Sequence, residues 1–288
     1  MAKSIGIVGA GTIGSGIARA VAQAGLDVLI YDINETVLRR AFELLKGEFK
    51  KLVEAGSLTQ EELSTVVGRI HPRTSLGDLR ACELVIESVI EDLRIKKDLF
   101  KHLETHVKPV TILASATSTL SLTAIASAAK LPERFVGLHF LYPAATSPMV
   151  EVVKGDQTSA GTIDKAIQFV SSIGKTPIAV QDAPGFVVNR LRASFWGEAL
   201  RVLGESVADH EHIDAIVRSV GAFKRGPFES MDQVGIDQSL AIMQSLYDRS
   251  CGDPRYRVHP IQKRMVESGT TGRKSGRGFY PYMKDTKR

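Results

Sequence analysis

Short apolar runs alternate with helix-like patterns along the first third of the chain. Ile5 to Val8 is a run rich in β-branched residues, and apolar residues then recur at helical spacing from Ile17 to Ala22. Val28 to Tyr31 is a second apolar run, which ends at Asp32. The succession of strand, tight turn, helix and strand within about 30 residues predicts one βαβ unit with parallel strands.

The same alternation continues to about residue 183 and then stops. Further strands are predicted at residues 83–89, 110–114, 134–140, 149–153 and 177–180. Residues 34–67 have the composition of two helices, which we expect to form an appendage beside the sheet. The pattern predicts an α/β fold, with a Rossmann-type dinucleotide-binding domain over residues 1–183 and an all-helical domain over residues 184–288.

The composition is that of an ordinary globular protein. The 288 residues are 43% hydrophobic and carry a formal net charge of +5, with the basic residues scattered, so a nucleic-acid partner is not predicted. No apolar run approaches the ~20 residues of a membrane helix and no signal sequence is recognised, which favours a cytoplasmic protein. Cys82 and Cys251 lie far apart, and His102 and His106 have no third ligand at a recognisable spacing, so neither a disulfide nor a metal site is predicted.

A glycine-rich turn follows the first predicted strand. It matches G-x-G-x-x-G, and an acidic residue ends the next strand eighteen positions later. The glycines permit a close backbone approach, so that amides at the start of the helix meet a pyrophosphate, while the acidic residue suits a ribose diol and repels a 2′-phosphate. We predict NAD as the cofactor; the alternative is a turn that only packs a helix on a sheet. The predicted contacts are Gly9, Gly11, Thr12, Ile13, Gly14 and Asp32.

A histidine and a glutamate lie on two neighbouring predicted strands. His139 is near the end of one strand, and Glu151 lies twelve residues later in the next. A neutral imidazole can take a proton from an alcohol while hydride leaves the same carbon, and a carboxylate on its other nitrogen fixes the tautomer. The spacing leaves two interpretations open, a catalytic pair or an ordinary structural pair.

Several segments spread over nearly the whole chain resemble one known family. They read GIVGAGTIGSGIA, VIESVIEDLRIKKDLF, ILASATSTLSLTAIA, PERFVGLHFLYP with VEVVKG, DAPGFVVNRL, RGPFESMDQVGID and GRKSGRGFYPY. The chain resembles the NAD-dependent L-3-hydroxyacyl-CoA dehydrogenases, and their short 3-hydroxybutyryl-CoA type in particular. This resemblance implies reversible hydride transfer between NAD and the 3-hydroxyl carbon of an acyl-CoA, in fatty acid β-oxidation, by a homodimer assembled through its helical domain.

The resemblance also implies roles for particular residues. His139 matches the family's base, and Glu151 matches the partner that orients it. Ser118 matches a serine that hydrogen-bonds the substrate oxygen near the nicotinamide, and Asn189 matches an asparagine that lines the substrate site. Three further residues fall where the family contacts the cofactor: Glu91, Lys96 and Lys274.

Three lysines on the first helix of the predicted appendage are candidates for binding the substrate. Lys46, Lys50 and Lys51 cluster there, and in the family this helix lies near the CoA nucleotide, whose phosphates attract ammonium groups. Lys50 is therefore the predicted substrate contact. The alternative is an ordinary solvated helix face.

Two positions depart from the family pattern. The family usually has asparagine at the positions of Ala116 and Tyr142, where the amides help to hold nicotinamide and substrate. These changes leave His139, Glu151 and Ser118 in place, so activity is expected with an altered substrate preference. Two alternatives stay open: a dehydrogenase of another 3-hydroxy substrate, such as an acyl-carrier-protein thioester or a hydroxy acid, and a non-catalytic NAD-binding protein.

Overall fold

The computed structural model of the protein describes residues 4–282, which fall into two compact units. The first unit ends at Ala183 and the second begins at Pro184. Each unit has its own cluster of buried apolar residues, which is what a domain needs to fold. Over residues 4–282, no helix is both long and apolar enough to cross a membrane.

One eight-stranded sheet forms the centre of the first unit. Its strands are β1 (Ser4–Val8), β2 (Asp27–Tyr31), β3 (Ile70–Arg73), β4 (Leu84–Glu87), β5 (Ile112–Ser115), β6 (Phe135–Phe140), β7 (Met149–Lys154) and β8 (Thr176–Gln181). Their order is β3-β2-β1-β4-β5-β6-β7-β8, and only the β6–β7 pair is antiparallel. The first six strands in this order have the arrangement of a dinucleotide-binding sheet, so the predicted Rossmann-type fold is confirmed.

Helices cover both faces of this sheet. They are α1 (Thr12–Gln23), α2 (Glu35–Glu54), α3 (Gln60–Gly68), α4 (Leu93–His106), α5 (Leu122–Ala126) and α6 (Ala160–Ser172). Residues of β4 alternate between the two sides: Ile86 joins the core with α1, α2 and α6, and Val85 joins the core with α4 and α5. Such a strand reads as a continuous apolar run because both of its faces are buried.

The helical pair expected at residues 34–67 is present, but it is not an appendage beside the fold. α2 and α3 form the crossover from β2 to β3, and Leu45 and Phe49 of α2 join the main core. The sequence pattern does not predict β3. Its residues, Ile70-His71-Pro72-Arg73, include one buried apolar side chain and a proline, which suits the edge of a sheet.

The second unit is helical throughout its described residues, 184–282, apart from turns and two isolated β-bridges, as the pattern predicts. Trp196 is fully buried at the centre of its core, with Phe228, Met231 and Met243 around it. The helices are α7 (Val188–Gly204), α8 (His210–Gly221), α9 (Pro227–Val234), α10 (Ile236–Arg249) and α11 (Pro260–Glu267).

Candidate active site

The glycine turn connects β1 to α1, and its glycines serve two purposes. A Cβ on Gly9 would lie 2.4 Å from the carbonyl oxygen of Ser88, and one on Gly14 would lie 1.9 Å from the carbonyl oxygen of Gly9, so neither position has room for a side chain. A Cβ on Gly11 would meet nothing within 4 Å. Gly9 and Gly14 close the turn, while Gly11 leaves one side of the backbone open to a ligand.

The start of α1 and the end of β2 fit a dinucleotide. Helix α1 has no side-chain cap and no acidic residue in its first turn, so its first amides, from Thr12 and Ile13 onward, are suited to an anion. The Asp32 carboxylate accepts hydrogen bonds from the backbone N–H of Ala10 at 2.8 Å and of Asn34 at 2.9 Å. Asp32 is thereby fixed beside the turn, where each oxygen has a second lone pair for a ribose hydroxyl.

His139 and Glu151 face each other across the antiparallel strands β6 and β7. Their Cα atoms are register partners, and the distance from His139 Nδ1 to Glu151 Oε2 is 2.6 Å. Both residues are buried, with 6% and 2% of their surfaces exposed. The two side chains are therefore in direct contact, with the carboxylate on one ring nitrogen of the histidine. The spacing in the sequence alone did not show this contact.

Ser118 lies on a loop after β5 that is ordered by one carboxylate. Glu91 Oε1 accepts hydrogen bonds from the backbone N–H of Ser118 at 2.8 Å and of Thr119 at 3.0 Å, and from the Thr117 hydroxyl at 2.6 Å. Burial works against this carboxylate, but the Lys96 ammonium and these donors together hold the pKa of Glu91 below its usual range. An ionised Glu91 thus determines the conformation of the serine loop.

Lys96 is buried and contacts the same Glu91 carboxylate that holds the serine loop. Only 1% of its surface is exposed, and its Nζ lies 2.5 Å from Glu87 Oε1 and 3.3 Å from Glu91 Oε2. The Ser115 hydroxyl donates to the other oxygen of Glu87 at 2.6 Å. The ammonium is held by protein oxygens, and its ion pair with Glu91 connects it to the serine loop. The cofactor contact of Lys96 stays a prediction.

Two charged residues near the site were not predicted from the sequence. Glu87 ends β4 with 0% exposure, and burial raises the pKa of its carboxyl, although Lys96 and Ser115 oppose that shift. Lys175 is 8% exposed, and its Nζ donates to the carbonyl oxygens of Ser147 at 2.6 Å and Ala145 at 3.1 Å. Lys175 thereby fixes residues 141–148, the loop that follows His139.

Tyr142 lies on this same loop, at one of the two positions that depart from the family pattern. Its side chain is 52% exposed, and Ala116, the other departure, is partly buried after β5. Both positions follow strands whose ends carry the groups described above. Both departures therefore lie at the sheet edge that carries the candidate site, and neither is a member of the His139–Glu151 pair.

Three further predicted contacts are Lys50 of the first unit and Asn189 and Lys274 of the second unit. Lys50 is exposed on α2 and makes no ion pair among residues 4–282, whereas its neighbour Lys46 pairs with Glu43 at 2.9 Å. In the second unit, Asn189 is buried in the first turn of α7, with 2% exposure. Lys274 is exposed, and its Nζ lies 2.5 Å from Asp237 Oδ2.

The groups of the first unit converge because of the strand order. β1, β4, β5 and β6 are parallel neighbours, so the glycine turn, the Glu87–Glu91 segment, the serine loop and His139 all lie at the carboxyl edge of one sheet. Ligands of open α/β sheets bind at this edge. The arrangement is that of a nicotinamide-dependent dehydrogenase.

Comparison with known families identifies the dehydrogenase family to which this chain belongs. Residues 4–183 match the 3-hydroxyacyl-CoA dehydrogenase NAD binding domain, and residues 185–282 match the 3-hydroxyacyl-CoA dehydrogenase C-terminal domain. The chain belongs to the 3-hydroxyacyl-CoA dehydrogenase family, which confirms the resemblance seen in the sequence and NAD as the cofactor.

Individual relatives span the whole chain. A probable 3-hydroxybutyryl-CoA dehydrogenase of Deinococcus radiodurans is 42% identical over 96% of this chain and 99% of its own. The 3-hydroxyadipyl-CoA dehydrogenase of Escherichia coli is 38% identical over 97% of this chain and 59% of its own. The crystal structure of (S)-3-hydroxybutyryl-CoA dehydrogenase from Ralstonia eutropha is 37% identical, with a TM-score of 0.92 over 99% of this chain and 100% of its own.

Proposed function

We propose that the protein transfers hydride between NAD and the 3-hydroxyl carbon of a short 3-hydroxyacyl-CoA, with His139 as the general base. The contact of 2.6 Å between His139 Nδ1 and Glu151 Oε2 carries this proposal. It supplies the acid–base group that hydride transfer from an alcohol requires, at the sheet edge where the cofactor binds. Relatives named 3-hydroxybutyryl-CoA dehydrogenase support the short acyl chain.

In this proposal, each ring nitrogen of His139 has its own part in the proton transfer. With Nδ1 donating its hydrogen to Glu151, Nε2 is the nitrogen that takes the proton of the 3-hydroxyl group. The carboxylate then stabilises the imidazolium until the proton is returned in the reverse direction. NAD, when bound at the glycine turn, supplies the hydride acceptor.

Further residues position the substrate in this proposal. Ser118 donates a hydrogen bond to the substrate oxygen, and Glu91, which orders its loop, acts as a positioning residue. Asn189 contributes a second polar contact to the same oxygen, and Lys50 binds a phosphate of the CoA nucleotide. For the cofactor, we propose contacts from the glycine turn, Asp32 and Lys274.

The test is NADH oxidation at 340 nm with acetoacetyl-CoA, for the wild type and for His139→Ala. Loss of the general base is expected to lower kcat by about 10²–10⁴. His106→Ala is the matched control, because this histidine is exposed and its hydrogen bonds are local to α4. A wild type that binds NADH and turns over no acyl-CoA would reject the proposal.

Two further sets of assays distinguish between the alternative substrates. An acyl-carrier-protein thioester and a free 3-hydroxy acid are assayed beside the CoA thioester, and Tyr142→Asn is assayed with each. A higher kcat/KM with either competitor than with acetoacetyl-CoA would assign the protein to that substrate. If Tyr142→Asn alone gains acetoacetyl-CoA activity, the phenol at this position excludes the substrate.

We also propose that the protein is a homodimer in the cytoplasm, with residues 1–183 and 184–288 as separate domains. The second unit exposes several large apolar side chains, as an interface requires. Analytical ultracentrifugation of the wild type and of Val220→Asp tests the dimer; an unchanged mass for the variant, or a monomeric wild type, would contradict this interface. The exposed residues are Leu191 at 68%, Ile216 at 60%, Val220 at 84% and Phe223 at 56%.

A further inference from the structure

A strongly basic pocket of about 380 Å³ is lined only by residues of the second unit. Four cations line it, against one carboxylate, so its formal charge is +3. None of these residues belongs to the glycine turn or to the His139–Glu151 pair. The charged lining residues are Arg218, Lys224, Arg225, Glu229 and Arg273.

Three of the four cations make no ion pair within residues 4–282. Arg218 forms an ion pair with Glu229, whereas Lys224 and Arg225 make no ion pair among residues 4–282. The Arg273 guanidinium lies over the ring of Tyr282, 5.0 Å from its centroid. Cations that line a concave surface without counter-charges raise the local potential and attract anions.

Two tyrosines of the pocket are fixed by buried carboxylates. The Tyr280 hydroxyl donates to Asp214 at 3.0 Å, and the Tyr282 hydroxyl donates to Asp232 at 2.9 Å. Burial, with the adjacent carboxylate, raises the pKa of both phenols, that of Tyr282 to about 12, so both stay protonated. Because the hydroxyls are engaged with the carboxylates, the rings are what the pocket lining offers a ligand.

The same two carboxylates make this part of the unit rigid. Asp214 also accepts hydrogen bonds from the backbone of α9, and Asp232 accepts two from the C-terminal segment. A Cβ on Gly226 would lie 2.2 Å from Asp214 Oδ1, and one on Gly278 would lie 1.9 Å from Asp232 Oδ1. The tyrosine rings are therefore held in place before any ligand arrives, which lowers the entropy lost on binding.

We propose that this pocket binds a phosphorylated nucleotide. The ammonium and guanidinium groups of Lys224, Arg225 and Arg273 bind phosphate oxygens, for which their hydrogen-bond donors are suited. The rings of Tyr280 and Tyr282 line the pocket beside these cations and provide apolar surface for the base, where the His210 ring and the Arg273 guanidinium do not cover them. The nucleotide is either a free one or the nucleotide part of a CoA thioester, since both have the same chemistry; in the second case this pocket, and not Lys50, binds the CoA phosphates.

The experiment is calorimetric titration of the full chain with adenosine 3′,5′-bisphosphate, with inorganic pyrophosphate as a second probe. NADH is present at saturation, so that the glycine turn is occupied. The double variant Lys224→Gln/Arg225→Gln is expected to weaken bisphosphate binding about tenfold or more, because it removes two charge-assisted contacts. The matched control is Lys263→Gln/Arg264→Gln, which removes an adjacent, exposed lysine–arginine pair outside the pocket and is expected to bind as the wild type does.

The outcomes separate the parts of the proposal. Absence of bisphosphate binding to the wild type, or an equal loss in the two double variants, would overturn it. Pyrophosphate binding as tight as that of the bisphosphate would overturn the assignment to a nucleotide. Binding is measured without turnover, so the result does not depend on the proposed dehydrogenase activity.

The KM for acetoacetyl-CoA then identifies the source of the nucleotide. A KM raised in Lys224→Gln/Arg225→Gln and unchanged in Lys263→Gln/Arg264→Gln supports the site and assigns it to the CoA part of the substrate. An unchanged KM, together with lost bisphosphate binding, supports the site and assigns it to a separate nucleotide.

Discussion

Two groups of buried ionisable residues share the carboxyl edge of the sheet, and they are built differently. The His139–Glu151 pair consists of two side chains on adjacent strands, set opposite each other by the antiparallel register. The second group joins Glu87 of β4 and Lys96 of α4 to Glu91, which in turn holds the serine loop after β5. Each buried carboxylate has a partner, as the cost of burying a charge demands.

The two groups differ in the chemistry of their central residue, which is an ammonium in one group and an imidazole in the other. The Lys96 ammonium is surrounded by Glu87, Glu91 and the carbonyl oxygen of Val89, so all three of its hydrogens have protein acceptors within reach. The imidazole of His139 meets Glu151 through Nδ1, and the proposed function assigns the exchange of a proton with the substrate to Nε2. A group that transfers protons needs that second position, whereas a group that fixes a loop benefits from complete coordination.

The largest effect on rate, after removal of the histidine itself, is expected from Glu151→Gln. The amide of glutamine can donate to Nδ1, which would leave the hydrogen of the neutral ring on Nε2 and prevent that nitrogen from acting as a base. We expect kcat to fall by about 10²-fold or more, as when the aspartate of a catalytic triad becomes asparagine. Steady-state kinetics from pH 6 to 9 measures this, with Glu151→Asp as the conservative control. A kcat within about twofold of the wild type would show that the pair is structural.

The largest effect on stability is expected from Lys96→Met. This change leaves the Glu87 carboxylate buried without its cation, which costs about 3–5 kcal/mol for a buried ion pair that loses one member. Urea unfolding measures the loss, and Lys97→Met, at a partly exposed neighbour that makes no ion pair among residues 4–282, is the matched control.

A second variant separates charge from packing at the same position. Glu87→Gln/Lys96→Met removes both charges, so it is expected to recover part of the stability lost in Lys96→Met. If the double variant is no more stable than Lys96→Met, the loss comes from packing and not from an unpaired carboxylate. Retention of wild-type stability in Lys96→Met would contradict the positioning role altogether.

The sequence predicts the pair better than it predicts the network. Strand patterns and a family resemblance place His139 and Glu151 on neighbouring strands, and the register then brings them together. Lys96 is assigned to the cofactor by resemblance, whereas its position four residues before Phe100 puts it on the buried face of α4. A lysine at a helix position where the pattern expects an apolar residue is a sequence signal that the side chain is buried.

Two other features of the structure could not be predicted from patterns in the sequence. Lys175 follows α6 as one more charged residue near a helix end, and only the tertiary structure shows that it fixes carbonyls about 30 residues earlier in the chain. The edge strand β3 has too few apolar residues to be recognised, because a strand at a sheet edge buries little surface. Both failures concern interactions between segments that are distant in sequence.

A smaller effect is expected from a change at Lys175, which lies outside the His139–Glu151 pair. The loop 141–148 follows β6 and is attached by Lys175, whose ammonium pKa is lowered by burial. Lys175→Met removes two charge-assisted hydrogen bonds, so we expect a loss of about 1–3 kcal/mol in unfolding free energy and a KM for the acyl substrate raised more than kcat is lowered. Lys154→Met, an exposed lysine at the end of β7, is the control. Equal losses in kcat and kcat/KM would place the effect on the His139–Glu151 pair instead of the loop.

The smallest effect concerns the pH dependence of the network. The pKa of Glu91 is lowered on folding from 4.5, so the folded state favours the ionised form, and its contribution to stability is present above about pH 4.5 and lost as the pH falls below it. The difference in unfolding free energy between the wild type and Glu91→Gln should therefore be larger at pH 7 than at pH 3.5. It should stay below about 1 kcal/mol, because the side chain is 35% exposed and water screens its interactions. Glu54→Gln, at an exposed residue whose side chain makes no hydrogen bond or ion pair within residues 4–282, controls for the loss of one charge. A difference of the same size at both pH values would mean that Glu91 holds the serine loop by shape and hydrogen bonding alone, and that its charge contributes nothing.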